Sequence, residues 1–73
     1  MNNTFDRRIL VDIGEYAKKM RVAMEMTQEE ISKELNVTLN TIQNFEYGRS
    51  NNAILLFKYL KLFDEYKVGY LWE

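Results

Sequence analysis

Between Thr27 and Thr38 two helix openings lie so close together that the chain can hold only one short helix and a tight turn. Thr27 with Glu30 has the pattern of a capping box, in which each side chain can satisfy the backbone N–H of the other's residue. Ile31 and Leu35 then give an inward face, and Asn36 suits the left-handed residue that stops a helix. Thr38 is a candidate cap for a second short helix, Leu39 to Tyr47, anchored by Ile42 and Phe45 and stopped at Gly48. Only residues 36–38 connect the pair.

The flanking segments also read as helical, and proline is absent. Ile9, Ile13, Tyr16, Ala17, Met20 and Met24 recur at steps of three and four, forming one apolar stripe that ends near Glu25. Gly14 interrupts this pattern at a cost of about 1 kcal/mol relative to Ala. The segment before it is therefore left open, as helix, separate turn or N-terminal arm over residues 1–8. A fourth helix is expected from Asn51 or Asn52 to about Phe63, burying Leu55, Leu56, Tyr59, Leu60 and Phe63. Residues 64–73 are too apolar for a free tail and should pack on the domain or on a second copy. The expected fold class is all-α: a compact domain of four to five helices spanning residues 1–73.

Composition excludes several functions. Without cysteine no disulfide can compensate for a small core, and without histidine most zinc sites and every His-based triad are gone. The three glycines stand far apart, so no Gly-rich phosphate loop forms. No cofactor, metal or catalytic role is expected. No apolar run approaches the ~18 residues that suggest a membrane span, and the start lacks a signal-peptide layout. A cytoplasmic protein is expected.

Taken together, Gly14, Arg21, Thr27-Gln28-Glu29-Glu30-Ile31-Ser32, Leu35, Val37-Thr38, Ile42, Glu46 and Gly48 resemble the lambda-repressor-like (Cro-type, XRE-like) helix-turn-helix family of bacterial and phage regulators. The resemblance covers about Ile13 to Phe63. It implies that the helix after Thr38 enters the major groove of double-stranded DNA while the helix before it braces against the backbone. On that helix Leu39, Asn40, Gln43 and Asn44 are the outward positions. Asn and Gln can pair bidentately with adenine, and Leu39 offers apolar contact to a thymine methyl. The competing reading is an ordinary solvated surface.

The resemblance places Gln28 against a phosphate at a positive helix end and Arg49 against the backbone. Thr38, Thr41, Lys18 and Asn51 are further phosphate candidates, although Thr38 also serves as a cap, and Lys18, Asn51 and Asn52 also read as solvated surface. Arg21 and Glu46 are implied to form a structural ion pair between the first helix and the end of the third. In this sequence Ser32 stands where Ala is usual, Asn36 where Gly is usual, and Ala53 where Pro is often found.

The expected function is a nucleoid-associated transcriptional regulator of bacterial or phage type, a repressor that binds a pseudo-palindromic operator as a homodimer. Tyr66, Tyr70, Leu71 and Trp72 are the candidate dimer surface, with completion of the monomer's own core as the alternative. The net charge of −1 is low for a DNA-binding domain. It keeps open a second class, a protein-interaction module of the same fold, an antirepressor or regulator partner that does not itself bind DNA.

Overall fold

The computed structural model describes the backbone of residues 4–72 and the side chains of residues 6–66. Four helices follow in order, α1 (Thr4–Ala23), α2 (Gln28–Glu34), α3 (Leu39–Glu46) and α4 (Ala53–Trp72), with no strand among the described residues. α2 and α3 pack on each other, and α1 lies against both α3 and α4.

The helix starts are fixed by side chains. Thr27 Oγ1 accepts from the Glu30 N–H at 3.0 Å while Glu30 Oε1 accepts from the Thr27 N–H at 2.9 Å, completing the capping box. Thr38 Oγ1 accepts from the Thr41 N–H at 3.1 Å. At α4 it is Asn52, rather than Asn51, whose Oδ1 accepts from the Leu55 N–H at 3.0 Å.

The first three helices share one ending. Glu25, Asn36 and Gly48 have φ of 59°, 58° and 79°. The residue after each donates back across the last turn: Met26 to the Arg21 carbonyl at 3.2 Å, Val37 to Ser32 at 2.9 Å and Arg49 to Asn44 at 2.9 Å. Each is the six-to-one bond of a Schellman motif, which reverses the chain in very few residues. Asn and Gly were expected in these positions; the left-handed Glu25 was not.

α1 passes through Gly14 without a break, so residues 4–8, where an arm was one option, form its opening turns. Residues 1–3 lie outside the described residues. Gly14 owes its place to packing: a Cβ there would sit 2.6 Å from the carbonyl oxygens of both Phe45 and Glu46. Its missing side chain lets α1 touch the backbone of α3.

Ala17, Met20, Met24, Ile31, Leu35, Ile42, Phe45, Leu55 and Tyr59 form the buried core. Two members of the expected α1 stripe depart from it, since Ile9 and Tyr16 are exposed. Both sit on the stripe's margin, and a domain this small does not cover the full width of α1. α4 also differs from expectation. It continues past Phe63 to Trp72, because Asp64 and Glu65 interrupt the apolar stripe without breaking the backbone helix. Tyr66 is exposed, while the side chains of Tyr70, Leu71 and Trp72 lie outside the described residues.

Candidate nucleic-acid interface

The end of α3 is held by a buried carboxylate. Glu46 Oε2 accepts from Arg21 Nε at 2.9 Å and from the Tyr59 hydroxyl at 2.7 Å. Its Oε1 accepts from Arg21 Nη2 at 3.0 Å and from Gln28 Nε2 at 3.1 Å. Arg21 Nη1 donates to the Met26 carbonyl at 2.9 Å, so the guanidinium also ties down the α1–α2 turn. All four helices therefore meet at one side chain. Burial pushes the Glu46 carboxyl up, but the bonds from Arg21, Tyr59 and Gln28 outweigh it and hold the group below its ordinary range. The bond to Glu46 raises Arg21 against its own burial, and burial followed by the bond to Glu46 raises the Tyr59 hydroxyl. Around neutral pH the network is carboxylate, guanidinium and neutral phenol.

With its end locked, α3 divides cleanly along its length. Ile42 and Phe45 are fully buried, whereas Leu39 and Asn40 are exposed and Gln43 and Asn44 half-buried. The side chains of Asn40, Gln43 and Asn44 make no hydrogen bond to other described residues, so their amides remain available. Thr38 and Thr41 behave differently: their hydroxyls lie 2.8 Å apart, and the Thr38 oxygen also caps the helix. Their first duty is to the helix start.

The phosphate candidates fall into two groups. Lys18 and Gln28 line one groove of about 950 Å³ between α1 and the end of α3, together with Lys19, Val22 and Tyr47. Arg49 lies over the exposed ring of Tyr47, itself a lining residue of that groove, at 5.3 Å from the ring centroid. Asn51 stands apart in the exposed loop before α4. Gln28, expected against a phosphate, is half-buried and has one of its N–H groups committed to Glu46.

Three features escaped the sequence. Lys19 was assigned no role, yet it borders the groove with Lys18. Tyr59 was read as a core residue only. Its hydroxyl was the clue, since a buried phenol needs a partner, but the partner lies on another helix. Ile54 and Phe57 are 71% and 66% exposed on α4, an apolar pair outside the core that the expected stripe left out.

A family model described as Helix-turn-helix matches residues 18–71. No curated protein and no solved structure matches the chain. Among the described residues no helix is long and apolar enough to cross a membrane.

Proposed function

Because the chain belongs to the lambda-repressor-like helix-turn-helix family, whose members are DNA-binding transcription regulators, we propose that it reads double-stranded DNA in the major groove and acts as a repressor. In this reading Leu39, Asn40, Gln43 and Asn44 face base edges. Gln28, Lys18 and Arg49 meet phosphates, with Thr38, Thr41 and Asn51 at the margins. The observation that carries the reading is the division of α3. A helix with two fully buried anchors and a buried, four-bonded carboxylate at its end leaves its amides without partners among the described residues. Such a rod presents donors and acceptors at small entropic cost, and each good bidentate pair contributes about 1–3 kcal/mol of base discrimination.

Few cations surround this face, so one copy neutralises few phosphates and binds weakly on its own. A homodimer on a pseudo-palindrome answers that weakness by placing two recognition helices about one DNA turn, roughly 34 Å, apart. The C-terminal segment with Tyr66, Tyr70, Leu71 and Trp72 is the proposed contact, and the exposed Ile54 and Phe57 add apolar surface on the same helix. Those exposed apolar side chains, with Leu39, Tyr47 and the net charge of −1, also favour the second reading, a module that binds another regulator.

Selection of bound duplexes from random DNA, followed by anisotropy titration at two salt concentrations, separates the two readings. DNA recognition gives an enriched motif and an affinity that falls with salt, by about 0.9 in log–log slope per phosphate neutralised. No enrichment, or binding indifferent to salt, favours the protein partner.

A further inference from the structure

We propose that Tyr59, fully buried on α4, is a positioning residue for the phosphate contact of Gln28, acting through the carboxylate of Glu46. The proposal rests on the DNA-binding reading above and adds a component to it.

An ionised carboxylate only accepts hydrogen bonds. Each Glu46 oxygen already receives two donors, Arg21 and Tyr59 on Oε2, Arg21 and Gln28 on Oε1. The Gln28 amide must therefore turn its NH2 group, not its oxygen, toward Glu46. One N–H is spent on that bond at 3.1 Å. The second N–H has no partner among the described residues, and the side chain lies half-buried in the groove that Lys18 and Lys19 border. Gln28 is the first residue of α2 after its Thr27 cap. The amide is thus anchored by one hydrogen and offers the other.

What fixes the anchor is the number of donors on Glu46. Arg21 grips both oxygens but comes from α1 alone. Tyr59 supplies the shortest bond of the four, from a fully buried ring whose centroid lies 5.5 Å from that of Phe45. Removing the hydroxyl keeps the ring in the core and leaves Oε2 one donor short. The carboxylate can then turn on its remaining bonds, and the Gln28 amide loses its fixed direction.

The test is Tyr59→Phe, alone and combined with Gln28→Ala, titrated by anisotropy against a fluorescent duplex of the selected sequence well below the melting temperature. In the wild-type background the expected loss is about fivefold in affinity, within the range of one weakened charge-assisted hydrogen bond. In the Gln28→Ala background the same change leaves affinity within about twofold, because the group it positions is already gone. A purely structural Tyr59 would cost the same factor in both backgrounds, and that result, or wild-type binding by Tyr59→Phe, overturns the proposal. NMR of the free protein supplies an arm that needs no DNA. The two Gln28 side-chain amide protons should differ in shift more widely in the wild type than in Tyr59→Phe. An unchanged Gln28 amide overturns the positioning while leaving the DNA reading intact, whereas failure of the wild type to bind any duplex removes the phosphate role together with that reading.

Discussion

Glu46→Ala is expected to lose about 3–5 kcal/mol of folding stability, the usual cost of removing one partner from a buried ion pair. Three groups lose their acceptor at once: the Arg21 guanidinium, the Tyr59 hydroxyl and one Gln28 N–H. Arg21 suffers most, because its charge stays buried with, among the described residues, the Met26 carbonyl alone to receive it. Natural domains are stable by roughly 5–15 kcal/mol, and short chains tend to lie low in that range. Urea unfolding at neutral pH should therefore find the variant close to its midpoint before denaturant is added. An isosteric Glu46→Gln keeps an acceptor and should lose less. It should also change the acid limb. The Glu46 carboxyl is held below its ordinary value of 4.5, so its contribution is present above that value and is lost as the pH falls below it. Glu46→Gln should lose stability less steeply over that acid range than the wild type. A Glu46→Ala variant that melts like the wild type would show that the pair contributes no stability.

Gly14→Ala sets two physical effects against each other. Helix propensity alone favours alanine by about 1 kcal/mol within α1. Packing opposes it, because the new methyl would lie 2.6 Å from two backbone carbonyl oxygens of α3. A crowded side chain can rotate away, but a helix backbone cannot, so α1 and α3 must part. Overpacking of a core costs about 1–3 kcal/mol and occasionally more, and the backbone clash puts this case at or above the upper end. The expected net loss is about 2 kcal/mol, or roughly 10 °C in Tm for a domain of this size. The displaced atoms include the Glu46 carbonyl, so the same change shifts the lock at the end of α3. Thermal melting decides the balance, and a Tm higher than the wild type would mean that propensity outweighs the contact.

These two residues also mark how far the sequence could be read. The paired openings at Thr27 and Thr38 were legible because capping is local: the partners lie within one turn, and short polar side chains leave few alternatives. The stop at Asn36 was legible for the same reason. Gly14 was visible only as a cost, since its benefit depends on the carbonyls of residues 45 and 46 across the fold. Tyr59 was legible as apolar bulk and not as a hydroxyl with a partner on α3. Glu25 in the left-handed region had no local signal, because glutamate is not a residue that favours it. The Leu39, Asn40, Gln43 and Asn44 set came from helical spacing around Ile42 and Phe45, and those two anchors are buried. The end of α4 was missed because the apolar period fades at Asp64 while the backbone helix goes on.

The most direct test of the central claim, that α3 is the surface which meets DNA, is an amide NMR titration of the labelled protein with a duplex recovered by selection. DNA recognition through α3 gives the largest shift changes at Gln28, from Thr38 to Asn44 and at Arg49, weakening as salt is raised. Changes confined to the exposed Ile54 and Phe57 face of α4, with α3 unmoved at saturating duplex, would contradict it.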